Sequence, residues 1–229
     1  MFDVFAAYPI DQGLLMRFSP LCQSDFEQLT RNAKVLELDS FGPKVLQLEG
    51  NLFLKLFRRK RWLSSALWRP YSLRFIENAQ RLKSLGIPTL TPLELFRLDD
   101  RAMTAVHYQP LPGRTFRQLS EQPGFDWQPL LPSLADLIHQ LHALGIYFRS
   151  LHLGNIVQTP EGSLGLIDIS DMRFFRHALS QKLAQRNLKH FQHYLQREEL
   201  EDRFPFEELR RILAQRRLAG RRSPPTFKP

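Results

Sequence analysis

Tyr147-Phe148-Arg149-Ser150-Leu151-His152-Leu153-Gly154-Asn155-Ile156-Val157, followed by Leu166-Ile167-Asp168-Ile169-Ser170, is the stretch from which the fold is read. Between the two runs lie Gln158, then Thr159-Pro160-Glu161-Gly162-Ser163, then Leu164-Gly165. The pattern is a short apolar strand, a turn punctuated by Pro and Gly, and a second short strand. A hairpin brings its two ends together, and Asn155 and Asp168 flank it. Upstream, residues 130–144 predict a helix, apolar at Leu131, Leu134, Leu137, Ile138, Leu141 and Leu144. Gly145 stops it as a C-cap and delivers the chain directly into the loop.

These residues resemble the catalytic loop and metal-binding turn of protein-kinase-like phosphotransferases. There the pattern is H-R-D, four residues, Asn, and later D-F-G. The loop Asp accepts the proton of the attacking hydroxyl, and the Asn and second Asp hold magnesium against the phosphates. The resemblance makes Asn155 and Asp168 the metal ligands, with the hard oxygens that magnesium takes. The form Leu151-His152-Leu153-Gly154-Asn155-Ile156 is closer to small-molecule and lipopolysaccharide kinases than to eukaryotic protein kinases. Over roughly residues 30–200 the chain resembles the lipopolysaccharide core heptose kinase family, which includes proteins labelled "toluene tolerance". Three positions depart from the pattern. Phe148 stands where His is usual, Ser150 where the base Asp is usual, and Asp168-Ile169-Ser170 keeps the Asp without Phe-Gly. Ser150 therefore marks a degenerate base position. His152, ionisable near neutrality, and Asp171 are the candidate substitutes, although the histidine of this motif more often braces the loop.

The resemblance implies an α+β, bilobal, protein-kinase-like fold. Its N-lobe would be an antiparallel sheet with one helix over residues 1–108, and its hinge residues 109–113. A mostly helical C-lobe would follow over 114–220, then a tail over 221–229. The upstream sequence supplies the pieces in that order. Val35-Leu36-Glu37-Leu38, Lys44-Val45-Leu46-Gln47-Leu48 and Leu52-Phe53-Leu54-Lys55-Leu56-Phe57 predict an antiparallel meander joined by Gly-containing turns. The first turn, residues 39–43, has one glycine, Gly42, so the G-x-G-x-x-G phosphate cradle is missing. Lys55 sits in an apolar strand and shares a face with Phe53 and Phe57. An amine on such a face needs a partner. By resemblance that partner is the nucleotide's phosphates together with a helix glutamate; the alternative is an edge-strand lysine that blocks aggregation. Residues 72–85 predict a helix with Leu73, Ile76, Ala79 and Leu82 on one stripe, and Glu77 beside it as the expected salt-bridge partner of Lys55.

Two further strands are expected at 93–96 and 102–108, then the Pro/Gly hinge Gln109-Pro110-Leu111-Pro112-Gly113. Helices are expected at 24–31, 180–195 and 206–218. Arg186-Asn187-Leu188-Lys189-His190-Phe191 resembles a segment of the heptose-kinase family. Arg58-Arg59-Lys60-Arg61-Trp62 with Trp68-Arg69 is the densest basic and aromatic cluster. It is either a contact for anionic lipid or lipopolysaccharide phosphates or a solvated loop.

Composition bounds the classes. The 229 residues carry 32 Lys+Arg against 23 Asp+Glu, a net +9, with 43% hydrophobic residues. That excludes a disordered chain and favours anionic partners. The single cysteine, Cys22, excludes an internal disulfide and fits a reducing compartment. With no basic n-region or clear cleavage site at the start and no apolar run of bilayer-crossing length, the expected location is the cytoplasm, with the periphery of the inner membrane as the alternative. The expected function is an ATP- and Mg²⁺-binding kinase-like transferase, phosphorylating an envelope glycolipid or sugar in lipopolysaccharide biosynthesis. The alternative is a pseudokinase that regulates envelope biogenesis. The third reading, a basic nucleic-acid-binding module, explains the charge but not the order Lys55, Glu77, Asn155, Asp168. Expected partners are nucleotide, and lipopolysaccharide core or an anionic membrane surface.

Overall fold

The computed structural model describes residues 17–58, 70–99 and 103–222. The architecture is α+β, in two compact units: one runs through Pro112 and adds Gly165–Asp171, the other holds Gly113–Leu164 and the chain from Met172 onward. Most of the basic and aromatic cluster, from Arg59 to Arg69, lies outside the described residues, as does the tail beyond 222.

The first unit is built on a six-stranded sheet. Its elements are β1 (Phe18–Leu21), α1 (Gln23–Thr30), β2 (Lys34–Asp39), β3 (Gly42–Gln47), β4 (Phe53–Arg58), α2 (Tyr71–Ser84), β5 (Thr91–Leu98) and β6 (Met103–Gln109). Strand order is β1-β5-β6-β4-β3-β2. The expected meander forms as β2–β3–β4, antiparallel throughout. The sheet as a whole is mixed, however, because β1 pairs parallel with β5, Phe18 opposite Leu95 and Leu21 opposite Leu98. This corrects the expected antiparallel sheet, and the helix expected at 24–31 forms as α1, a second helix of the unit beside α2. Strand β1, by contrast, does not announce itself in sequence. The strand is four residues long and contains Pro20, which lacks an N–H and is tolerated at a sheet edge. No residue of α1 is buried.

Alternation gives the sheet two different faces. Leu46, Leu54, Leu56, Phe96, Leu98 and Ala105 form a buried cluster on one, with Phe26 and Leu29 of α1 packed against it. The other carries Lys55 opposite Val45 on β3 and Val106 on β6, with Phe57 and Tyr108 touching Phe75 of α2 at ring separations of 5.5 Å.

The second unit comprises β7 (Arg114–Thr115), α3 (Phe116–Ser120), α4 (Leu131–Ala143), β8 (Ile146–Tyr147), β9 (Ile156–Gln158), the start of β10 (Leu164–Leu166), β11 (Arg173–Phe174), α5 (Gln181–Arg197) and α6 (Phe206–Arg222). The predicted hairpin turn forms between β9 and β10: Thr159 N–H donates to the Ser163 carbonyl at 2.8 Å and Gly162 N–H to the Thr159 carbonyl at 2.9 Å. Leu131, Leu134, Ile138 and Leu141 of α4 are buried, and α4 packs along α6. Trp127, Phe204 and Phe191 follow one another at ring separations of 4.7 and 5.4 Å. Among the described residues no helix is long and apolar enough to cross a membrane.

Candidate functional site

Lys55 is the buried cation of the sheet unit, 4% exposed. β4 aims its side chain at the α2 face, where Nζ lies 5.9 Å from the Phe57 ring centroid and 5.4 Å from that of Phe75. An ammonium removed from water on an aromatic floor requires a counter-charge. That charge is Asp168, whose Oδ1 accepts from Lys55 Nζ at 2.5 Å. The expected Lys55–Glu77 pair is thus a Lys55–Asp168 pair, while Glu77 stands half-buried on α2. Helix periodicity places Glu77 beside the apolar stripe but carries no information on a carboxylate 113 positions away from Lys55.

The segment carrying Asp168 is fastened on both sides. Before it, Leu166 N–H donates to the Pro88 carbonyl at 2.9 Å, and Thr89 Oγ1 donates to the Leu166 carbonyl at 2.7 Å. After it, the 3₁₀ turn Ile169–Asp171 packs against α2, and buried Asn78 donates Nδ2–H to the Ile169 carbonyl at 2.7 Å. Asp168 itself has φ = +51°, a left-handed conformation that Asp tolerates better than most side chains. Its carboxylate is 36% exposed. Its negative charge reaches further. Burial pushes the Tyr108 phenol well above its ordinary range, and Asp168 and Glu37 push it the same way. At Lys44 burial acts downward, but the hydrogen bond to Glu37 and the carboxylates of Asp168, Glu37 and Asp39 outweigh it and raise the ammonium.

The turn expected to cover phosphates is a tight two-residue hairpin, Ser40-Phe41, between Asp39 and Gly42. Its polar groups serve the turn itself. Asp39 Oδ1 accepts the Phe41 N–H at 2.8 Å, and Arg58 Nη2 donates to the Pro43 carbonyl at 2.8 Å.

In the helical unit, the loop between β8 and β9 holds Ser150, His152 and Asn155. Asn155 is buried at 7% exposure. Its Nδ2 donates to the Ser150 carbonyl at 2.9 Å, which leaves Oδ1 as the acceptor available to a cation. His152 Nδ1 accepts the Gly154 N–H at 3.2 Å, and Nε2 lies 3.1 Å from Asn155 Nδ2. A neutral imidazole accepts at one nitrogen only, so its single lone pair is spent on the loop in either tautomer. The ring also stacks on Tyr194 of α5, centroids 4.1 Å apart and 9° from parallel. Tyr194 in turn receives a hydrogen bond from Arg117 at 3.4 Å, and Arg117 forms a close ion pair with Glu198. That hydrogen bond holds Glu198 below the usual carboxylate range. His152 is braced rather than poised. Asp171, the other candidate substitute base, ends the 3₁₀ turn of the sheet unit.

A second polar chain supports the same loop. Arg217 Nη2 donates to His142 Nδ1 at 3.3 Å. His142 Nε2 therefore carries the proton and donates to Asn187 Oδ1 at 3.0 Å, and Asn187 Nδ2 donates to the Phe148 carbonyl at 2.6 Å. Asn187 is fully buried. Sequence reasoning missed Asn78, Asn187 and Tyr194. The signal for the two asparagines was an amide on the apolar stripe of a helix, since a buried amide must find partners.

The chain matches no family model and no curated protein.

Proposed function

We propose that this chain is a kinase-like nucleotide-binding protein in which Lys55 engages a nucleotide phosphate and Asp168 the accompanying magnesium ion. The observation that carries the reading is the pair between buried Lys55 and the partly exposed carboxylate of Asp168. An amine and a carboxylate held together inside one unit suit a phosphate and a divalent cation respectively. The donor set fits the group. Among the described residues no cluster of three or more His, Cys, Asp and Glu could cage a metal, and magnesium on a nucleotide needs only one or two protein oxygens, the rest coming from phosphate and water. When bound, magnesium neutralises charge that would otherwise face Asp168. Asn155, the second oxygen donor assigned by sequence, is held by the Ser150 carbonyl with Oδ1 available. The resemblance to lipopolysaccharide core kinases supplies the reaction class: phosphoryl transfer to a sugar of an envelope glycolipid.

A second reading has its own observation. Ser150 cannot take a proton near neutrality, and the lone pair of His152 is committed to the loop. General-base catalysis contributes about 10²–10⁴-fold, so a loop without a base favours slow transfer or a pseudokinase that regulates envelope biogenesis through nucleotide binding. A melting titration with ATP decides the nucleotide reading. Magnesium and ATP together should raise Tm of the wild type, and Lys55→Met and Asp168→Ala should each abolish the rise. A flat wild-type titration rejects nucleotide binding. Phosphate transfer to purified core oligosaccharide, lost in Lys55→Met, separates the enzyme from the pseudokinase.

A further inference from the structure

We infer that α5 is a docking surface for an anionic phospholipid bilayer, independent of the nucleotide reading. α5 is 17 residues long, and its sequence QKLAQRNLKHFQHYLQR contains four Lys or Arg and no Asp or Glu. Lys182, Arg186, Lys189, His193 and Arg197 are spaced four, three, four and four residues apart, which places them on one face. All five are exposed. The opposite face buries Ala184, Asn187, Phe191, Tyr194 and Leu195. The helix therefore holds itself to the unit with one side and presents with the other a stripe of four Lys and Arg, with His193 between Lys189 and Arg197, about 22 Å long at 1.5 Å per residue.

Local chemistry does not account for the stripe. A helix gains stability from acidic residues in its first turn and from Glu–Lys pairs four apart. α5 has Lys182 in its first turn and no acid there. Lys182 and Arg186, and Arg186 and Lys189, are like-charged neighbours on the helix surface. α6 handles its arginines differently. Arg210 pairs with Glu207 at 3.1 Å, Arg211 with Glu208 at 3.2 Å and Arg216 with Asp136 at 2.6 Å. Among the described residues no carboxylate pairs with Lys182, Arg186 or Lys189, and Arg197 alone on the stripe has an acid, Glu198. Lys182, Arg186 and Lys189 thus form a run of charge on one helix face that no carboxylate among the described residues offsets.

The chemistry complementary to that run is a flat field of negative charge. A bilayer leaflet carrying anionic lipid meets all five residues at once. A helix that enters the major groove of a duplex is flanked by phosphates on both sides, whereas α5 carries its charge on one face only and is held to the unit by the other. The exposed face also lacks the aromatic rings on which single strands stack, since Phe191 and Tyr194 point inward. No apolar residue lies on the stripe, so the contact is electrostatic, without insertion. Each Lys or Arg at such a surface strengthens binding about fivefold, in a salt-dependent way.

The test is vesicle co-sedimentation of the full chain with phosphatidylcholine vesicles, with and without phosphatidylglycerol. The wild type should bind only the anionic vesicles and be released by salt. Lys182→Gln/Arg186→Gln/Lys189→Gln should bind about a hundredfold more weakly. Lys182→Arg/Lys189→Arg should bind like the wild type. A charge-matched triple elsewhere, Arg31→Gln/Lys34→Gln/Lys83→Gln, should retain most of the binding. Three results overturn the inference: no binding of the wild type to anionic vesicles, equal losses in the two Gln triples, or capture of duplex DNA in place of vesicles.

Discussion

His142 makes the helical unit sensitive to acid. Burial, assisted by the nearby charges of Arg217 and His139, pushes its pKa down to about 4, against a smaller upward pull from the hydrogen bond to Asn187. The geometry explains the direction. Nδ1 accepts from Arg217, so a proton there would meet a guanidinium instead of receiving its hydrogen bond. The folded ring stays neutral while the unfolded ring takes a proton near the ordinary value of 6.5. Above about pH 6.5 both states are neutral and the group contributes nothing to pH dependence. As pH falls from there toward 4, the unfolded state binds the proton first and stability drops. The expected loss between pH 7 and pH 5 is about 2 kcal/mol, read from urea midpoints at the two values. His142→Gln keeps an amide donor toward Asn187 without a titrating group, so its loss over the same interval should be smaller by about that amount. Equal acid sensitivity in the two proteins would place the titration elsewhere.

Among the elements, the second unit's small sheet depends on a residue without a side chain. Gly113 has φ = +127°, and a Cβ there would stand 2.1 Å from the Gln158 carbonyl oxygen. Arg114, next in the chain, pairs with Gln158 across β7 and β9. Gly113→Ala should therefore cost more than the backbone strain of about 1–3 kcal/mol, because β7 must also withdraw from β9. Gly162→Ala, in the hairpin turn with φ = +82° and nothing within 4 Å of the added carbon, carries only the backbone term of about 1–2 kcal/mol. Thermal unfolding should rank the two in that order, and a milder Gly113→Ala would show that the strands can yield. The contrast also marks what a sequence can display. Both glycines were read as breakers, and the helices and meander followed from period and punctuation. α2 and α4 came within a residue or so of their observed ends because long apolar stripes determine them. β1 stayed hidden because a four-residue edge strand with a proline has no period to read. Lys55 was legible as an amine on an apolar face of its own strand, and the resemblance put Asp168 at the same nucleotide, but the direct pair of the two was not legible, since pairing across the fold is settled by packing. The same limit concealed Tyr194 beneath His152: an aromatic at core spacing on a helix does not reveal which ring it will meet.

At the scale of the whole molecule, two compact units with separate buried clusters carry two different sensitivities. The Lys55–Asp168 pair and its fastenings belong to the sheet unit, whereas the His142–Asn187 chain belongs to the helical unit. Local opening free energies follow the cooperative unit in which a perturbation falls. Hydrogen exchange should resolve the two. Magnesium and ATP should raise protection in β3, β4 and α2, where the strands hold Lys55 and Asn78 anchors the segment after Asp168. Lowering the pH from 7 to 5, after correction for intrinsic exchange, should reduce protection in α4 and α5, where His142 and Asn187 sit. The acid effect should vanish in His142→Gln while the nucleotide effect persists. Asp168→Ala should show the reverse, losing nucleotide protection while keeping the acid response. Uniform changes across both sets of elements would show that the chain opens as one cooperative block, and the assignment of each sensitivity to its own core would then fail.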